Sequence, residues 1–299
     1  MHELPLCKPD WLKIRMRRPD RFGRVRELLA RYELNTVCTS AKCPNMFECW
    51  DDGCLTFMVL GDTCTRACRF CAVSHGCPEG VDDAEPGRVA LAAEELGLKY
   101  VVITSVDRDD LSDFGASHYA ACVRAVKGRL PGVGVEVIIP DFSGELDLIE
   151  AVVDAGPDVI SHNVETVERL SSLVRDRRAG YFRSLDVLRD VKRLDPLMVT
   201  KSSLLLGMGE DQGEVRGVMH DLCEARVDIL TVGQYLRPGP DQWPVCRYVH
   251  PDEFAELAAY GRSLGFGHVE AGPLVRTSYR AAGHFLSVGS QVIRRASCG

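Results

Sequence analysis

Three cysteines stand at CxxxCxxC spacing in Cys64-Thr65-Arg66-Ala67-Cys68-Arg69-Phe70-Cys71, directly after the apolar run Phe57-Met58-Val59-Leu60-Gly61. A tight thiol group behind a strand-like run points to a metal or redox site. Three is the informative number. An iron–sulfur cube has four irons, and thiolates usually hold all of them. A loop that offers three leaves one iron open to another ligand, which is what separates catalytic from closed structural metal sites. A zinc loop or a ferredoxin fragment would instead need a fourth thiol, and Cys77 stands close enough in sequence to supply one.

A second thiol group precedes the first. Cys38, Cys43 and Cys49 stand at Cx4Cx5C, with Pro44 and Asn45 between them. Turn formers among cysteines suit a loop wrapped around a cluster. Structural zinc sites more often carry CxxC knuckles, which this segment lacks. A second iron–sulfur cluster is the better reading, and its fourth ligand must come from elsewhere in the chain.

Bulk properties narrow the class. At 299 residues the chain can bury a full core as one large α/β domain or two small ones. Its 45% hydrophobic and 26% charged composition is that of an ordinary globular protein. A net charge of −7 gives no sign of a nucleic-acid partner. No apolar run approaches the ~18 residues of a membrane span, and residues 1–10 lack the apolar segment of a signal peptide, so a cytoplasmic location is expected. The 13 cysteines cluster in a way that indicates metal and not a disulfide framework. A basic run of Lys13, Arg15, Arg17, Arg18, Arg21, Arg24 and Arg26 is either a solvated face or a docking surface for an acidic protein.

The elements that must position these loops follow from periodicity. Continuous apolar, β-rich runs lie at 57–60, 100–106, 133–139, 159–162, 198–206 and 229–235, as expected of strands covered on both faces. Amphipathic stretches near 87–97, 117–129, 145–155, 182–194 and 210–225 separate them, and another lies near 252–264. Strand–helix alternation implies right-handed βα units and a parallel sheet. Six units fall short of the eight that close a TIM barrel, so the expected fold is a partial, open (β/α)6 TIM-like barrel. The expected parts are 1–56 with the first cysteine loop, 57–266 as the barrel, and 267–299 as a C-terminal extension. Active sites of parallel barrels lie at the C-terminal strand ends. The polar residues there are Thr104, Ser105, Asp107, Arg108 and Asp109, then Asp141, then His162, Asn163 and Glu165. Lys201, Ser202, Ser203, the 207–210 turn, Gln234 and Tyr235 follow. Each alone could be a helix cap or a buried pair. Their recurrence at every strand end favours a site.

CxxxCxxC with an aromatic before its last cysteine resembles the cluster loop of the radical S-adenosylmethionine (SAM) superfamily. Further motifs narrow this to the lipoyl synthase family. These are the paired cysteine loops, Thr104–Leu111, Ile139–Phe142, His162–Val167, Val174–Tyr181, Gly233–Leu236, and Arg276-Thr277-Ser278-Tyr279-Arg280-Ala281. The resemblance runs from about residue 8 to about residue 286. It implies insertion of two sulfur atoms at carbons 6 and 8 of an octanoyl group on a lipoyl-carrier domain, with cleavage of SAM to methionine and a 5′-deoxyadenosyl radical. It implies two 4Fe-4S clusters. Cys64, Cys68 and Cys71 would hold the SAM-cleaving one; Cys38, Cys43, Cys49 and Ser278 would hold an auxiliary, sulfur-donating one. Phe70 would pack near the adenine, and Asn163 and Glu165 near the ribose. Thr104, Ser105, Arg175 and the 203–210 stretch would meet the rest of SAM. Implied partners are octanoylated domains of the 2-oxoacid dehydrogenase acyltransferase subunit and the glycine cleavage H protein, with a low-potential electron donor. A monomer without membrane or nucleic-acid partners is expected.

Two positions depart from the family pattern. Thr277 replaces the first serine of Arg-Ser-Ser-Tyr, and Phe114 replaces one of two glycines after the acidic tract. Cys54, Cys77, Cys122, Cys223, Cys246 and Cys298 match no ligand motif and read as small apolar residues. The competing readings are a biotin-synthase-like sulfur-inserting enzyme, a two-cluster electron carrier, and a structural zinc protein.

Overall fold

The structure is a computed structural model, and it describes residues 7–13 and 21–296. Arg15, Arg17 and Arg18 of the basic run, and Cys298, lie outside the described residues. Helix α1 (Phe22–Arg31) leads to the edge strand β1 (Asn35–Thr36) and two short helices, α2 (Val37–Ser40) and α3 (Met46–Asp51). Strand β2 (Thr56–Val59) follows, then two short strands, β3 (Thr63–Cys64) and β4 (Ser74–His75). Helix and strand then alternate through α4 (Glu85–Glu95), β5 (Tyr100–Ser105), α5 (Ala116–Arg129), β6 (Gly134–Ile138), α6 (Leu146–Val153) and β7 (Val159–Ser161). The chain continues through α7 (Glu168–Val174), α8 (Tyr181–Leu194), β8 (Val199–Leu206), α9 (Gln212–Glu224) and β9 (Ile229–Gln234). It ends with α10 (Pro251–Leu264), β10 (His268–Gly272) and α11 (Ala281–Ala296).

All six expected strands form, with ends displaced by no more than two residues, and they pair in parallel. Two additions correct the count. Strand β10 pairs in parallel with β9, and β1 pairs antiparallel with β2. The sheet therefore has eight strands in the order β1-β2-β5-β6-β7-β8-β9-β10, and β1 does not meet β10, so the barrel stays open. Its alternate residues face two ways. Val101 and Ile103 of β5 join the layer under α4 and α5, while Tyr100 and Val102 face inward. Helix α11 packs inside this curve, against β5, β8 and β10. Ala281, Ala282, Phe285 and Val288 meet Tyr100, Val102, Val159, Val199 and Ile229, which lie near the N-terminal ends of the strands. The C-terminal helix thus fills the lower half of the barrel and leaves the upper half for a site.

Local chemistry sets the ends of the crossover helices. Asp211 and Glu214 form a reciprocal capping box on α9. Pro251 opens α10 after a His250 cap, and Gly265 closes it at φ +100°. Phe114 adopts φ +51° just before Gly115 at φ +85°. The backbone therefore keeps a left-handed shape that glycine favours, at a strain of about 1 kcal/mol. Gly115 itself has no room for a β-carbon, which would fall 2.3 Å from Leu60 Cδ1. No described helix is long and apolar enough to cross a membrane.

Candidate active site

One cavity of about 330 Å³ opens at the C-terminal strand ends. Both cysteine loops reach it: Cys38 and Cys43 from one side, Cys64, Cys68 and Cys71 from another, and Ser278 from the segment before α11. Phe70, Thr104, Ser105, Asn163, Glu165, Arg175 and Ser203 line the same space, with Asp107, Asp141 and His162. Cys49 does not line it. It sits behind, against Cys54, whose thiol reaches the Ser278 carbonyl oxygen at 3.7 Å.

The CxxxCxxC loop springs from the end of β2 and is pinched at its base by the β3–β4 pairing. Arg66 is buried beneath it. Its guanidinium binds Asp141 through both terminal nitrogens, at 2.7 and 2.9 Å, and Asp109 at 2.8 Å. Thr65 Oγ1 donates to Asp109 at 2.6 Å, Asp176 accepts from the Ala67 amide at 3.0 Å, and Arg178 donates to the Thr65 carbonyl at 2.7 Å. Segments after β5 and α7 thereby strap the loop. Backbone amides then point at every sulfur. Arg66 and Asp107 donate to Cys64 at 3.4 and 3.3 Å, Asp176 to Cys68 at 3.2 Å and Val73 to Cys71 at 3.4 Å. Such donors favour the thiolate. With thiols in place, burial pushes Cys64 and Cys68 up to about 12. Buried sulfurs already supplied with amide donors fit a cluster that binds thiolates.

The other loop is built differently. Thr36 caps α2, the Cys43 amide donates to the Cys38 carbonyl at 3.0 Å, and α3 carries Cys49. The Phe22 ring stacks on Trp50 at 5.0 Å, tying α3 to α1, a contact worth about 0.5–1.5 kcal/mol beyond burial. Asn45 donates to the Leu274 carbonyl at 2.6 Å, and Tyr279 to Glu48 at 3.0 Å, so the C-terminal segment is fastened to this loop. Gly233 permits that approach, since a β-carbon there would fall 2.1 Å from the Val275 carbonyl oxygen. Burial raises Cys38 to about 11 and raises Cys43. The backbone amides of Thr56 and Asn45 lie near enough to the Cys38 and Cys43 sulfurs to favour their thiolates. The buried Trp50 Nε1 has no partner and lies near enough to the Cys38 sulfur to favour its thiolate. This donor beside Cys38, with Cys43 and Ser278 on the same cavity and Cys49 behind them, fits a second cluster.

Between the loops lies a polar wall. Asn163 Nδ2 donates to Glu165 Oε1 and to Thr277 Oγ1, both at 3.0 Å. Thr277 keeps the hydroxyl that this contact needs, which accounts for its tolerance in place of serine. Asn163 Oδ1 is buried without a partner, an acceptor open to a hydroxyl or ammonium of a bound molecule. His162 Nδ1 must donate to the Ile139 carbonyl at 2.9 Å, so Nε2 accepts from Ser184 Oγ, which in turn accepts from Arg175 Nη1 at 2.9 Å. Burial lowers His162 to about 4, keeping it neutral. Burial raises the Asp107 and Glu165 carboxyls, and lowers the Arg276 guanidinium, which faces Cys43 and Glu165.

Several strand-end residues belong to the framework. Lys201 is fully buried in mid-sheet, paired with Glu136 at 2.9 Å. Arg108 binds Asp110 and the carbonyls of Leu60 and Glu79. Gln234 satisfies the carbonyls of Leu206, Tyr235 and Arg247 and the Val249 amide. Glu210 accepts from the amides of Gly207 and Met208. Sequence reasoning missed Arg66 and Cys54. Arg66 lies inside the CxxxC interval opposite an Asp-rich tract, a signal that could have been used; Cys54 had none. Cys77 is exposed and apart from the cavity, and Cys122 is buried in the core.

Comparison with known proteins gives consistent matches. The model of the Radical SAM superfamily matches residues 58–222. A lipoyl synthase from Methanocella arvoryzae is 70% identical over 282 residues, covering 94% of this chain and 95% of that protein. A lipoyl synthase from Thermus thermophilus is 54% identical over 280 residues, covering 93% and 87%. Among solved structures, Streptococcus suis SuiB bound to S-adenosylmethionine superposes with a TM-score of 0.55 at 10% identity. That match covers 73% of this chain and 50% of SuiB, and it bears on the fold alone.

Proposed function

The chain belongs to the lipoyl synthase family of the radical SAM superfamily, and from that premise we propose how its residues divide the work. It is a radical SAM enzyme that inserts sulfur at carbons 6 and 8 of a protein-bound octanoyl group, using SAM and a 4Fe-4S cluster. Its substrate is therefore carried on a protein.

In the proposal, Cys64, Cys68 and Cys71 hold the SAM-binding cluster, and Cys38, Cys43, Cys49 and Ser278 hold an auxiliary 4Fe-4S cluster. When bound, the first supplies the electron that cleaves SAM and the second supplies the sulfur. The observation that carries this reading is the single cavity lined by cysteines of both loops and by Ser278. Phe70 offers a flat apolar surface to the adenine. Asn163, through its spare Oδ1, and Glu165 orient the ribose. Thr104, Ser105, Arg175 and Ser203 meet the remainder of SAM. An oxygen ligand at Ser278 is harder than thiolate and a poorer partner for sulfide-bound iron, so it releases more readily. The parts 1–56, 57–266 and 267–299 then supply the auxiliary thiols, the SAM site and the serine. Lipoyl-carrier domains of 2-oxoacid dehydrogenases and of the glycine cleavage system are the protein substrates, and a low-potential donor delivers electrons.

Anaerobic iron and sulfide analysis with Mössbauer spectra, on wild type and Ser278→Ala, tests the reading. Two clusters in the wild type, with one perturbed in the variant and SAM cleavage retained, support it. One cluster, or zinc at Cys38–Cys49, would sink the sulfur-donor assignment and leave the SAM site standing.

A further inference from the structure

A second group of ligand-bearing side chains lies inside the barrel, outside the cavity described above. His268 and Glu270 project from β10 toward His284 of α11, and one ligand atom from each lies within 4.8 Å of the others. Glu270 Oε2 is 3.5 Å from His268 Nε2 and 3.8 Å from His284 Nε2. The two imidazoles stack at 4.7 Å with 29° between their planes, so both offer Nε2 to one carboxylate.

Ser287 Oγ donates to the His284 carbonyl at 2.6 Å and lies 3.1 Å from His268 Nδ1. His268 Nε2 and both nitrogens of His284 are buried without partners, and His284 is 2% exposed. Three orphaned nitrogens in one place depart from the rule that buried polar atoms are paired. A cation set among them would give these nitrogens a partner.

We infer that His268, Glu270 and His284 form a binding site for a divalent cation of the zinc class. Two imidazoles and one carboxylate suit zinc(II). Zinc–ligand bonds of about 2.0–2.1 Å place tetrahedral donors roughly 3.3–3.4 Å apart, near the 3.5 and 3.8 Å that Glu270 makes with the two imidazoles. Ser287 would act as the outer partner that orients a ligating histidine. Glu270 and His268 are about a third and a quarter exposed, which gives the ion a path in and leaves a position for water. Bound there, the ion would fasten α11 to β10 through His284, six residues beyond Ser278. The inference is independent of the sulfur-insertion reading and stands or falls without it.

The test uses the full chain with its iron–sulfur sites loaded, so that cluster thiols do not compete. Zinc(II) is added, excess is removed, and bound zinc is counted for wild type, His284→Phe and Glu270→Gln. Zinc K-edge absorption then reads the ligand type. The expected result is one zinc per wild-type chain with a nitrogen/oxygen shell and imidazole scattering, lost from both variants. With free zinc about a hundredfold above its dissociation constant, the wild-type melting midpoint should rise by roughly 5 °C while neither variant moves. A sulfur shell, equal zinc in wild type and variants, or no bound zinc would overturn the inference. Should His284→Phe fail to fold, Glu270→Gln, on the more exposed side, decides alone.

Discussion

The two cysteine loops share a cavity and little else. The Cys64–Cys71 loop is strapped by a buried arginine with two carboxylate partners, and four amides point at its sulfurs. The Cys38–Cys49 loop has fewer such donors, Thr56 toward Cys38 and Asn45 toward Cys43, and polar contacts such as Asn45 to Leu274 fasten it to the segment bearing Ser278. Amide donors lower the energy of a thiolate and of the cluster it binds. The difference accords with the division of labour proposed above, in which the first cluster supplies the electron and the second the sulfur.

The sharpest way to break this contrast is to remove one ligand from each loop. Cys68→Ala and Cys43→Ala should both abolish lipoyl product, but only Cys68→Ala should abolish 5′-deoxyadenosine release, read by chromatography of quenched reactions. Equal loss of deoxyadenosine in both would erase the distinction. Arg66→Met tests the strapping. It leaves the buried Asp141 without its cation, while Asp109 keeps Arg178 at 3.3 Å, and should cost about 3–5 kcal/mol in urea denaturation. Glu48→Ala, which breaks the exposed contact of the other loop, should cost less than about 1 kcal/mol. A larger effect from Glu48 would reverse the ranking.

Acid should also act on the SAM side. His162 sits near 4 in the fold against an ordinary value near 6.5, because burial disfavours its charge. Below about pH 6.5 the unfolded chain takes a proton that the folded chain refuses until about pH 4. Stability is therefore full above that window and falls through it, by about 3 kcal/mol. His162→Gln should flatten the slope in denaturation curves recorded across this range, and an unchanged slope would remove the assignment. The smallest effect is expected at Thr277. Thr277→Ser keeps the hydroxyl and should leave SAM affinity within about twofold, while Thr277→Val, which strands an Asn163 hydrogen, should weaken it by about 1 kcal/mol in equilibrium dialysis.

How much of this was legible in the chain depended on the kind of signal. Strands β2, β5, β6, β7, β8 and β9 are apolar runs with helical stretches between them, and their order followed directly. Strand β10 was missed because it has one deeply buried apolar residue, Val269, flanked by His268 and Glu270. Its inward face is polar, so it carries no hydrophobic period to find. Strand β1 is two residues long, too short to carry a pattern. At the site, cysteine spacing was readable because ligands of one cluster are local in sequence. Partners such as Asn163–Thr277 and Arg66–Asp141 come together only through the fold, separated by 114 and 75 residues. Phe114 shows the reverse: its side chain departs from the family pattern, yet its backbone keeps the left-handed turn.

The fastening of Asn45 to Leu274 has a consequence for how the protein is made. The two residues are 229 positions apart. At ~5–20 residues per second of synthesis, the Cys38–Cys49 loop leaves the ribosome roughly 10–50 s before the segment that completes its surroundings. The Cys64–Cys71 loop waits less, since its straps at 107–109, 141 and 176–178 emerge by mid-chain. During that interval Cys38, Cys43 and Cys49 are made but not enclosed. Maturation factors that deliver iron and sulfide would meet the SAM-side loop as a nearly finished receptacle, and the other as one whose last wall is still to arrive.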